Sequence, residues 1–259
     1  MTFTVDQLVA QWEAYLYPFL RISAVLVASP IFGTQIIPPQ IKALLAVFLT
    51  IMVSPFVRID GVIDPVSAAG VLIAAEQILI GLSIGFMIRM IFSVMEVGGY
   101  LIAQSMGLGF AQMVDPTNGT AVPSVSQFFT IMATLIFLAL NGHVLVVQIA
   151  VESFTAIPVG VSLGGYSLWE LVEWSSWIFK GALIISLPVV SSLIMVQIAF
   201  GIMSRAAPQL NVFSIGFPIT LLLGFVFLYV SIPMFSEQFI GIMTSAFDAI
   251  HMMLGGTHG

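Results

Sequence analysis

The side chains able to do chemistry are few and scattered. Histidine occurs at 143, 251 and 258, never in the H-E-x-x-H spacing that turns two imidazoles toward one zinc ion. Cysteine is absent, which excludes disulfides, thiolate metal sites and thiol nucleophiles. No Gly-rich Walker loop is present, so that usual route to nucleotide hydrolysis is missing. His143 follows Asn141-Gly142, a pair that marks a helix break, and reads as a satisfied structural histidine rather than a base. The expectation is a chain that is not an enzyme and uses no metal or cofactor.

Three charges need another explanation. Arg21, Glu76 and Arg89 lie within apolar stretches, where each costs about 2.5–3.5 kcal/mol at the centre of a lipid-embedded helix. Glu76 and Arg89 would stand about 20 Å apart along one helix and cannot pair there. Their partners must come from another segment, another subunit or water. For the two arginines, snorkelling to an interface and a functional role both fit. The shorter Glu76 is expected to make a buried polar contact. Gln77, Gly81, Gly85, Arg89 and Ser93 recur every fourth position, and the Gly81-x-x-x-Gly85 spacing lets a second helix approach closely. That stripe is expected to face protein rather than lipid.

The stretch from Gly98 to Pro123 is expected to be a loop. It carries Gly98-Gly99, Gln104, Met106-Gly107-Leu108-Gly109-Phe110, Gln112-Met113 and Asp115-Pro116. Two readings fit. One is an ordinary connector that closes in an Asp-Pro turn. The other is an uncharged, deformable strip that fills or lines a passage without holding ions.

The elements carrying these residues are apolar helices, an all-α architecture. The chain is 59% hydrophobic and 7% charged, with no Asp, Glu, Lys or Arg between Pro116 and Val151. Six apolar segments run at roughly Tyr15–Phe32, Ile41–Val57, Val66–Met95, Val122–Val151, Gly181–Ser204 and Val212–Phe235, followed by an amphipathic stretch at Gln238–Leu254. The length allows about five to seven spans and leaves no separate soluble domain. A net charge of −6 with scattered cations excludes a nucleic-acid footprint. No Lys or Arg precedes Arg21, so the first segment lacks the basic region of a cleavable signal and is expected to be retained.

Pro18, Pro30, Pro38, Pro39, Pro55, Pro123, Pro188, Pro218 and Pro233 fall in or beside these segments, predicting kinked and broken helices. Broken backbone survives at membrane depth only against protein or a water-filled cavity. Ile41–Val57 reaches only about 25 Å as a helix, short for a core of about 30 Å. Val122–Val151 overshoots at about 45 Å and is expected to bend near Asn141-Gly142. Loop cations tie, Arg58 and Lys180 on one side against Lys42 and Arg205 on the other, so no orientation follows.

The stretch from Gly201 to Pro218 reads GIMSRAAPQLNVFSIGFP. Arg205 suits the negative end of a helix, Pro208 stops that helix, and Asn211 can cap the next. With Gln209 inside it, this connector closely resembles that of the FliR family of the bacterial flagellar export apparatus. Arg21 with Pro30-Ile31-Phe32-Gly33, Glu76 with Gly81 and Gly85, Gln104 through Asp115-Pro116, Asn141-Gly142-His143 and Leu187-Pro188 fit the same family. The likeness extends from about Trp12 to Ser236.

The resemblance implies a single membrane-derived domain over 1–259, a FliP-like part at about 1–175 and a FliQ-like hairpin and tail at about 176–259. It implies a hetero-oligomeric helical staircase with FliP and FliQ, FlhB associated with it and FlhA nearby. That assembly would form the flagellar type III export gate of the inner membrane and basal body, largely above the bilayer plane, passing unfolded flagellar proteins. The strip near 104–116 would be its plug, a role carried to Met106, Gly107, Leu108, Gly109, Phe110 and Met113. Arg21, Glu76, Arg89, Arg205, Pro208, Gln209 and Asn211 would be structural or inter-subunit polar residues. An injectisome homologue is the nearest alternative. A secondary transporter would need an internal inverted repeat and a convergent polar site. An intramembrane hydrolase would need a nucleophile or metal beside His143.

Overall fold

The computed structural model describes residues 5–57, 65, 67–109, 124–161, 168–206 and 212–255. Their apolar runs fold into eight α-helices: α1 Val5–Ala28, α2 Pro39–Val53, α3 Ala68–Ser105, α4 Ser124–Ala139, α5 Gly142–Ala156, α6 Leu168–Ser175, α7 Trp177–Ala206 and α8 Val212–Met253. No strand occurs among the described residues.

The prolines fall into two groups. Pro38 and Pro39 do open α2, with Pro39 in the first turn where a missing N–H costs nothing. Pro55 sits in a single 3-10 turn, Ser54–Phe56. Yet Pro18, Pro188, Pro218 and Pro233 lie inside unbroken helices. A proline removes one ladder hydrogen bond, and the helix continues on the rest. The last apolar segment and the amphipathic stretch after it form one helix from Val212 to Met253.

Gly98 and Gly99 are also helical, so the loop expected from Gly98 starts only after Ser105. Short α6 was not foreseen. The break at Asn141 is present: Asn141 adopts φ 56° and ψ 28°, and the chain turns by 68° between α4 and α5. Left-handed backbone suits asparagine better than most residues. Gly142 follows because a Cβ there would stand 2.5 Å from the Phe137 ring.

Four helical stretches among the described residues are long and apolar enough to cross a membrane: Pro39–Phe56, Ala68–Ser105, Trp169–Ala206 and Gly216–Met253. The bent pair α4–α5 would make a fifth. At 38 residues each, the last three reach about 57 Å, nearly twice a hydrocarbon core of about 30 Å.

The chain divides into two compact units. The first comprises Met1–Met90, Phe137–Ser175 and Ser245–Gly259. Within it α1 and α2 form an antiparallel pair, tied by Lys42 Nζ to the Gly33 carbonyl (3.1 Å) and Ser54 Oγ to the Ala14 carbonyl (2.9 Å). The start of α3 lies parallel to α1, with Tyr17 Oη reaching the Gly70 carbonyl at 3.4 Å. Farther along, a Cβ at Gly81 would stand 2.7 Å from Ala24 Cβ, and one at Gly85 2.5 Å from Ala28 Cβ. Small residues on both helices permit that approach. Tyr17, Ile22, Leu26, Ala46, Val53, Phe154 and Val159 fill the core around them.

The second unit comprises Ile91–Ile136 and Ser176–Thr244. Here the Gly98-Gly99 pair serves two neighbours. A Cβ at Gly98 would stand 3.2 Å from Ile185 Cγ2 on α7, and one at Gly99 2.7 Å from Ser126 Cα on α4. Edge-to-face pairs Phe92–Phe239 (6.0 Å) and Phe129–Phe235 (4.6 Å) pack α3 and α4 against α8.

Candidate functional site

Arg21 is fully buried in the first unit and draws three elements together. Its Nε and Nη2 donate to Gln77 Oε1 on α3. Nη1 donates to the Ser153 carbonyl at 2.7 Å and to Ser153 Oγ at 3.2 Å, and Nη2 to the Ile157 carbonyl at 2.9 Å. The guanidinium also lies 4.3 Å from the centre of the Phe154 ring. A planar fork with several donors suits this geometry, because each acceptor sits in a fixed direction. Hydrogen bonds to a charge and the ring's negative face together offset the removal of the cation from water. Arg21 thus does not snorkel; it fastens α1 to α3 and to the end of α5. Glu13, two turns earlier on α1, is also buried, with Oε1 free of any hydrogen-bond partner among the described residues.

In the second unit the strip begins as a helix ending. The Leu108 N–H reaches the Ala103 carbonyl and the Gly107 N–H the Gln104 carbonyl, both at 3.0 Å, with Gly107 at φ +85°. That bond pair is a Schellman ending, which requires left-handed backbone at the position glycine occupies. Met106 is wholly buried, whereas Gly107, Leu108 and Gly109 are half-buried. Phe110 and Met113 lie outside the described residues.

The remaining residues singled out by sequence fall in both units. Glu76 is half-buried, and the buried polar contact expected of it belongs instead to its neighbour Gln77. Arg89 is exposed, and Arg205 is exposed in the last turn of α7. Pro208, Gln209 and Asn211 lie outside the described residues. His143, expected to be satisfied, buries an Nδ1 with no hydrogen-bond partner among the described residues. His251 instead faces Glu152, its Nε2 3.2 Å from Oε2. No group of three or more His, Cys, Asp or Glu that could hold a metal occurs among the described residues.

Sequence reasoning missed Ser153 and the Ile157 carbonyl as partners of Arg21, being 132 and 136 residues away. Gln77 was visible only as one member of the polar stripe. Its place on the same face as Gly81 and Gly85 was the usable signal.

Residues 12–246 match the family model described as bacterial export proteins, family 1. The chain is 31% identical to the flagellar biosynthetic protein FliR of Pectobacterium carotovorum subsp. carotovorum, over 96% of each chain. It is 33% identical to FliR of Escherichia coli strain K12 over 85% of each. Identity to FliR of Bacillus subtilis strain 168 is 31%, over 87% of this chain and 88% of that one. The chain therefore belongs to family 1 of the bacterial export proteins, which includes the FliR flagellar biosynthetic proteins.

Proposed function

We propose that this chain is a non-enzymatic subunit of the flagellar type III export gate, helping to form and plug the channel that passes unfolded flagellar proteins. The observation that carries the reading is likeness to flagellar relatives along nearly the whole chain. Its partners in the gate are FliP- and FliQ-type subunits, with an FlhB-type protein attached and an FlhA-type protein nearby. It sits in the bacterial inner membrane within the flagellar basal body, much of it above the bilayer plane. Residues 1–175 play the FliP-like part and 176–259 the FliQ-like part.

Two physical features support this reading. Helices of about 57 Å exceed any hydrocarbon core, so part of their length must meet protein or water. The strip from Met106 to Gly109 is uncharged and rich in glycine and methionine, chemistry that seals around varied side chains without binding any one. Arg21, Glu76, Arg89 and the connector residues Arg205, Pro208, Gln209 and Asn211 act in structure and subunit contacts. Shortening the Met106–Met113 strip is expected to leave the assembly intact but leaky to ions in reconstituted vesicles. An intact assembly that stays closed would refute the plug.

A further inference from the structure

The last turn of α3 is held from outside as well as by its own backbone. A helix end leaves carbonyls that need partners. The Met106 N–H serves the Ile102 carbonyl at 2.9 Å, and the Schellman bonds serve those of Ala103 and Gln104. The next carbonyl, of Ser105, accepts from Gln197 Nε2 on α7 at 2.9 Å. Met106 lies against α8 where Gly224 leaves room: a Cβ at 224 would stand 2.6 Å from Met106 Cγ, 2.8 Å from Cε and 3.0 Å from Sδ. A Cβ on Gly107 would stand 3.1 Å from the Phe217 ring. Phe217 and Gly224 are two turns apart on one face of α8, so the exit turn is gripped at two points there and at one on α7.

We propose that Gly224 and Gln197 are positioning residues that set where the strip leaves α3, and that the seat of Met106 against Gly224 is a closed-state contact that parts before a polypeptide passes. The inference rests on reading the strip as the plug. Met106 and Gly224 meet only through dispersion, and methionine is unbranched and readily re-packed. The one hydrogen bond of the grip comes from an exposed side chain, so water can replace it when the contact parts.

The test uses the full chain assembled with its FliP- and FliQ-type partners in vesicles, with ion leak as the readout. Gly224→Ala drives a methyl group into Met106 and raises leak by about tenfold, the shift expected from overpacking one contact. Adding Met106→Ala in the same chain removes the collision and lowers leak below that of Gly224→Ala alone. Leak that instead adds up would show the two positions acting independently and overturn the seat. A closed Gly224→Ala assembly, beside a leaking shortened strip, overturns this inference but spares the plug. If neither leaks, the plug reading falls and this inference with it. Should Gly224→Ala fail to assemble, Gln197→Ala decides: a smaller rise in leak supports the grip, and none overturns it. The chain has no cysteine of its own, so the double variant Met106→Cys, Gly224→Cys tests parting directly. Cross-linking stops export until reduction; export that continues while cross-linked overturns the claim.

Discussion

Around Arg21 and around Met106 the chain joins helices by opposite means. At Arg21, α1, α3 and the end of α5 converge on one buried cation whose donors are spent on fixed acceptors. At Met106, α3, α7 and α8 meet through close approach at glycines, with one exposed hydrogen bond. A buried charge holds its acceptors rigidly, because any movement leaves a cation uncompensated. Contacts built on glycine and methionine lose little when they slide. The first junction is made to hold and the second is able to yield, as expected if one unit anchors a subunit while the other carries the strip that closes it.

The sharpest break in this comparison is Arg21→Ala. Gln77, Ser153 and Ile157 would lose their donor and a cavity would open, so destabilisation of about 3–5 kcal/mol is expected, read as lost thermal stability of the purified complex. Arg21→Lys should lose most of this too, since a point charge cannot replace the fork. A Lys variant as stable as the parent would mean that charge alone holds the knot. A smaller effect is expected from Gly85→Ala, whose Cβ meets Ala28 Cβ at 2.5 Å and the Val25 carbonyl at 2.9 Å. Backbone must move to admit it, at a cost of about 1–3 kcal/mol in the same melt. Least affected should be Glu152→Gln, which removes the partner of His251 where both side chains are 41–46% exposed. Exposed pairs contribute about 0–1 kcal/mol. A loss as large as that of Arg21→Ala would mean that burial is not what distinguishes the knot.

Much of this was legible from particular residues. Asn141-Gly142 announced its bend because the signal is local: one left-handed residue and one missing Cβ. The Gly81–Gly85 stripe announced a protein-facing side, since period and residue size alone define it. Gly98-Gly99 misled, because a glycine pair breaks helices in water. Here Gly98 and Gly99 instead admit α7 and α4. The acceptors of Arg21 were hidden because they are set by tertiary packing across 56 to 136 residues of sequence. Glu76, the charged residue, drew attention away from Gln77 beside it.

Leu44, Phe48 and Met52 on α2, Phe179, Met195 and Ile202 on α7, and Tyr229 and Val230 on α8 all remain exposed. On the proposed function, sister subunits, more than lipid, cover faces like these. Purification through a tagged FliP-type protein, followed by the mass of the intact complex in detergent, tests that most directly. The expected result is this chain inside one hetero-oligomer of defined mass. A stable, folded monomer that does not accompany the tagged protein would contradict it.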